Sequence, residues 1–221
     1  MKTQSNQSFY KLSAAFSIVF MALIAGLAMG LFYPTILKNV SIIQREIFIP
    51  LWLFTSCFVL IAILDLWLSY AFLKIFPFQG QNKISSVLRL IYSLILLFSL
   101  RELIVLSFKS EIDTNQLNET LRFFNQYWSL ALIVFGLHLV FLSKVLCDNQ
   151  FGPRFLSLLL LIAGCCYSVH HTLNSFVDGY AVHKVQIDAI IALPCALAEL
   201  LLAFYLWKLR STADFSSDST Q

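Results

Sequence analysis

Residues 124–146 read FNQYWSLALIVFGLHLVFLSKVL. A helix needs about 20 apolar residues to cross the hydrocarbon of a bilayer, and this stretch supplies them while carrying His138 in its middle. Two further apolar runs follow, each holding residues that hydrocarbon rejects: His170 and His171 in GCCYSVHHTLNS, and Glu199 in LPCALAELLLAFYLW. A titratable group inside such a span is costly, faces the bundle interior, finds a partner and marks a functional candidate. The stretch thus predicts a membrane helix in a bundle with a polar interior.

The whole chain agrees with that reading. Its 221 residues are 59% hydrophobic and 12% charged, against about 25% charged in a soluble domain. The net charge of +3 is spread thinly over loops and ends, so no basic stripe points to nucleic acid. The five cysteines, Cys57, Cys147, Cys165, Cys166 and Cys195, lack CxxC or other zinc spacing and read as small buried hydrophobes. The sequons at Asn39 and Asn118 are too common by chance to carry weight.

Working outward gives six spans. Leu12 to Tyr33 exceeds the core of a signal peptide and is long enough to span, with Gly26 and Gly30 forming a small-xxx-small face and Pro34 expected to end it. The second span, 47–75, is longer than needed, so it tilts or begins with an interfacial turn at Pro50; it contains Asp65. The third, 85–108, holds Arg89 and Tyr92 near one end and Arg101 and Glu102 near the other. Residues 109–123 form the longest polar connection, with an interfacial helical piece expected over LNETLRFF. Spans four, five and six are 124–146, 155–175 and 187–207, the last kinked at Pro194, and residues 211–221 form a polar tail expected to be flexible. The fold class is all-α, one transmembrane domain of six helices.

Lys and Arg set the orientation. One side carries Lys2, Lys11, Lys74, Lys83, Lys144, Arg154, Lys208 and Arg210, the other Lys38, Arg45, Lys109, Arg122 and Lys184. The excess on the side of the termini puts both in the cytoplasm by the positive-inside rule.

Helical rise then sorts the polar residues by depth. Asp65, His138 and Glu199 all lie roughly 12–16 Å from the inner boundary, and the long side chain of Arg89, nearer that boundary, either reaches toward them or snorkels out to the headgroups. Arg101, Glu102, His170 and His171 fall roughly 6–10 Å below the outer boundary, and Tyr167, His171 and Asn174 share one face of span five. The structural reading of the inner layer pairs Asp65 with Arg89 and His138 with Glu199; the functional reading makes Asp65, Arg89, Tyr92, His138 and Glu199 a site. In the outer layer, Arg101, Glu102, Tyr167 and His171 are the candidates, with His170 pointing to the interface. A metal needs more ligands than one histidine at a given depth, so no metal and no cofactor is expected.

The segments ILDLWLSYAFLKIF, SSVLRLIYSLI, VFGLHLVFLSKVL, GPRFLSLLLLIAGCCYSV and ALPCALAELLLAFYLWK resemble, in order and spacing, the bacterial inner-membrane family known only as domain of unknown function four-three-eight-six. The resemblance runs over about residues 10–210 and implies six spans, an inner-membrane location and family positions at Asp65, Arg89, Tyr92, Gly136, His138, Pro153, Arg154, Tyr167, Pro194 and Glu199. Cys165-Cys166 and His170-His171 depart from its pattern. It implies no activity.

No nucleophile–base pair, phosphate loop or metal signature appears in the sequence. The first expectation is therefore a non-enzymatic bundle, structural, accessory or binding a small or lipid-like ligand. A small transporter or proton-coupled permease using the inner layer is the alternative, and an intramembrane enzyme with His138 as base is third. The bilayer, such a ligand and a second copy of the chain are the expected partners, with no nucleic acid.

Overall fold

The computed structural model describes residues 2–39, 44–76, 80–109, 111–148, 153–177, 179–180 and 184–218. Among them every long element is helical: α1 (Lys2–Leu27), α2 (Tyr33–Asn39), α3 (Gln44–Ile75), α4 (Gly80–Ser107), α5 (Thr114–Asp148), α6 (Arg154–Phe176) and α7 (Lys184–Asp218). Six helical stretches are long and apolar enough to cross a membrane, the make-up of a multi-pass membrane protein.

Several ends differ from expectation. Pro34 does not stop the first span: a π-helical turn, Ala28–Phe32, precedes it, and the Tyr33 N–H donates to Ala28 O. A proline inside an α-helix has no N–H to donate and its ring clashes with the carbonyl four residues back; the wider turn opens that spacing, so α2 continues the rod. No turn begins span two at Pro50, which lies inside α3. The piece expected as a separate interfacial helix over 117–124 is part of α5, because Asp113 caps that helix early, its Oδ2 accepting the Gln116 N–H at 3.3 Å. The polar connection shrinks accordingly to a few residues. Helix α7 runs through Pro194 and on through residue 218, into the stretch read as a tail, where neither Gly nor Pro interrupts the backbone ladder. Residues 149–152 and, in the stretch read as a tail, 219–221 lie outside the described residues.

The rods close into a ring. Each packs on its chain neighbours, α3 on α4, α4 on α5, α5 on α6 and α6 on α7, and α1 completes the circle by touching both α3 and α7. The end bearing the termini is called proximal below, the other distal. Side-chain caps tie the short connections down: Asn82 Nδ2 donates to Phe72 O at 2.9 Å and to Phe76 O at 2.7 Å, filling acceptors that the proximal end of α3 would leave empty.

The distal half of the ring is packed with aromatics. Phe54 and Phe58 of α3 meet Phe124 and Trp128 of α5 at centroid distances of 4.9–5.3 Å, and Asn125 Nδ2 donates to the Tyr33 hydroxyl at 2.7 Å. The outer surface is apolar, with Phe16, Leu23, Phe155, Ile190 and Leu193 all exposed, while Asp65, Arg89, His138 and a run of serines on α4 are buried. This is the reverse of a soluble protein's distribution and fits a lipid solvent.

Helices α5 and α6 approach closely at a pair of glycines. A Cβ on Gly136 would sit 2.6 Å from Gly164 O, and one on Gly164 2.6 Å from Gly136 O and 2.9 Å from Val140 N. Only glycine permits backbones this near. The face expected to serve this purpose, Gly26 and Gly30, meets nothing within 4 Å.

Candidate functional site

Helical spacing gathers the polar residues. Ser85, Arg89 and Tyr92 follow one another at i, i+4, i+7 and share the inward face of α4; Trp128, Leu132 and Phe135 do the same on α5. Asp65 comes from α3, and the Gly136–Gly164 contact holds α5 and α6 together beside His138 and Tyr167.

Arg89 is the hub. Its Nε donates to Asp65 Oδ1 at 2.8 Å, its Nη2 binds the same oxygen, and its Nη1 donates to His138 Nε2 at 3.0 Å. Its guanidinium lies between two rings, with Cζ 5.5 Å from the Phe72 centroid and 5.4 Å from that of Phe135. Because guanidinium only donates, His138 accepts at Nε2 and carries its proton on Nδ1. That N–H faces the Ser85 carbonyl at 2.9 Å, and Ser85 Oγ donates back to His138 O at 3.2 Å. Phe72 stacks on the imidazole at an interplanar angle of 14°. All three ionisable side chains are buried. Removing one partner from such a pair costs roughly 3–5 kcal/mol, since the other charge is left stranded.

The expected pairing of Asp65 with Arg89 is present; that of His138 with Glu199 is not. Equal depth did not make them neighbours: His138 turns toward α4, whereas Glu199 Oε1 accepts from the Tyr167 hydroxyl at 3.4 Å. Between these groups lies a cavity of about 140 Å³. Its polar lining is Asp65, Arg89, Tyr92, Tyr167 and Glu199, and its remaining walls come from Met21, Ala22 and Ala25 of α1, Ile61 of α3, and Trp128, Leu132 and Phe135 of α5. All six spans contribute. His138 holds the wall in place without lining it.

The expected outer layer does not assemble. Arg101 and Glu102 pair with each other on the outside of the ring, Nε to Oε1 at 3.1 Å and about half exposed, with the Arg101 guanidinium over Phe98 and Phe123. Tyr167 belongs to the cavity. His171 stacks beneath it, rings at 16°, with Nδ1 3.0 Å from Ser129 Oγ. His170 does not point to the interface: it is buried, with Nδ1 2.9 Å from the Tyr180 hydroxyl and Nε2 2.7 Å from Asp188 Oδ1, fastening the α6–α7 connection. Depth alone could not separate these residues, because neighbours on a helix point about 100° apart.

Sequence reasoning passed over Trp128 and Phe135, two of the cavity's aromatic walls, and Ser85, the partner of His138. The i, i+4, i+7 spacing on α5 and α4 was the signal that could have found them.

In comparisons with known proteins, the family described as Domain of unknown function (DUF4386) matches residues 13–208. No curated protein and no solved structure matches the chain.

Proposed function

Because this chain belongs to the DUF4386 family, whose description carries no activity, we propose from the geometry that it is a multi-pass inner-membrane protein binding a small molecule inside its helix ring. The observation that carries this reading is the convergence of side chains from all six spans on one cavity. A purely structural polar core would bring its members into direct contact, as Arg89 does with Asp65 and His138. Tyr92 and Tyr167 make such contacts too, with Asp65 and Glu199 respectively, but together with Glu199 they also border open space. An engineered cavity of about 150 Å³ accepts benzene, so the volume here suits a ligand of similarly few heavy atoms or a small cluster of waters. Both termini lie in the cytoplasm in this reading, on the side richer in Lys and Arg.

Native mass spectrometry of the protein released from lipid nanodiscs tests it. The wild type retains a small non-lipid mass, and Ala25→Leu, which pushes a larger side chain into the cavity, loses it while staying folded. A wild type that never carries such a mass, in any lipid, would sink the reading.

A second reading, a proton-coupled permease, draws on Glu199, which lines the cavity and is ion-paired to no Lys, Arg or His among the described residues. Glu199→Gln would then abolish pH-dependent uptake in proteoliposomes. Unchanged uptake at normal protein level removes Glu199 from that role.

A further inference from the structure

We propose that the ligand of the central cavity is a small organic cation, an ammonium ion carrying short alkyl groups. The proposal rests on the reading of the cavity as a binding site and assigns its chemistry.

Charge comes first. Three ionisable groups of opposite sign line the space: Asp65, Glu199 and Arg89. Arg89 is already committed, with donors to Asp65 and His138 and rings on two sides. That leaves the Glu199 carboxylate, which receives one hydroxyl from Tyr167 and has no ion-paired cation among the described residues. A carboxylate removed from water without a partner is expensive, and a bound cation offsets that cost. An anion would meet two carboxylates and a guanidinium whose charge is already shared with Asp65 and His138.

The walls then select the kind of cation. Tyr92, Trp128, Phe135 and Tyr167 all face the cavity, with the Tyr92 ring 4.9 Å from that of Phe135 and Tyr167 set against Phe135 at 5.4 Å and 78°. Aromatic rings beside a carboxylate are the surroundings that hold ammonium groups, through the negative face of the ring quadrupole and contact with the alkyl substituents. A bare metal ion needs a shell of hard or nitrogen ligands, and no group of three His, Cys, Asp or Glu comes together among the described residues. Volume suits a small group: about 140 Å³ admits a trimethylammonium group with a short arm.

Isothermal titration calorimetry of the full chain in nanodiscs, with choline chloride and its uncharged isostere in which carbon replaces nitrogen, tests the assignment. Choline binds saturably and the uncharged isostere at least about tenfold more weakly. Glu199→Gln, which keeps the shape of the side chain, weakens choline by a similar factor and leaves the isostere unaffected. Arg101→Gln, on the outside of the ring, retains binding, and an unaltered circular dichroism melt of Glu199→Gln shows that its loss of choline is not a loss of fold. Equal binding of the two probes, or indifference of choline to Glu199→Gln, overturns the cation assignment while leaving the cavity as a binding site. If neither probe binds, the assignment also falls, and the cavity reading falls with it only if the native mass spectra are empty as well.

Discussion

Replacing the charged pair at the centre of the ring, singly and together, measures what holds the site. Asp65→Leu strands the Arg89 guanidinium, whose Nε and Nη2 both lose their acceptor inside a buried core; breaking such a pair costs roughly 3–5 kcal/mol. Arg89→Met strands Asp65 and also removes the donor to His138 Nε2, adding the roughly 1–3 kcal/mol of an unsatisfied buried group. The double variant removes both charges and leaves the His138 acceptor and the Tyr92 hydroxyl without these partners, so it costs about 2–6 kcal/mol in total. The two single changes are therefore strongly non-additive, with a coupling of about 4 kcal/mol or more. Equilibrium unfolding in mixed micelles with increasing dodecyl sulfate, followed by circular dichroism, reads all four corners of the cycle. A double variant whose loss equals the sum of the single losses would refute the idea that each charge is there to satisfy the other.

The same unfolding measurement separates two kinds of glycine. Gly164→Ala forces the α5 and α6 backbones apart and destabilises by about 1–3 kcal/mol, whereas Gly26→Ala and Gly30→Ala meet open space and stabilise by up to about 0.5–1 kcal/mol each; equal effects at the two places would contradict the packing. Cys195 is buried and Cys147 exposed, so peptide mapping after maleimide treatment finds Cys147 modified in the native protein and Cys195 only after denaturation. Modification of both at the same rate would mean that α7 does not seal against α6. A fluorescent reporter on either terminus glows and a periplasmic phosphatase reporter there stays inactive if both ends lie in the cytoplasm; the opposite pattern inverts the proposed orientation.

Much of the architecture could be read directly from the order of residues. Six apolar runs gave six helices, because chain length and hydropathy alone decide whether a helix can match a bilayer. The Asp65–Arg89 pair could be anticipated for a similar reason: two opposite charges at comparable depth in apolar surroundings have few other ways to be satisfied. Local rules about helix ends served less well. Pro34 was expected to end a helix and an interfacial turn at Pro50 was one of two ways to fit a long span, yet a π turn accommodates the first and the second sits within an unbroken helix.

Which way each helix faces was beyond such reading. In an amphipathic soluble helix the apolar stripe marks the buried side, but here lipid and core are equally apolar, so hydropathy is nearly silent on rotation. Rotation is fixed by close packing, above all by Gly136 against Gly164, and by hydrogen bonds that span the ring. That is why His138 faces Ser85 and Arg89 instead of Glu199, why Tyr167 joins the cavity while Arg101 and Glu102 face outward, and why side chains of all six spans border one cavity. Composition and helical rise set how many helices are long and apolar enough to cross a bilayer and how far along its helix each polar group lies; its partners followed from contacts between helices far apart in the chain.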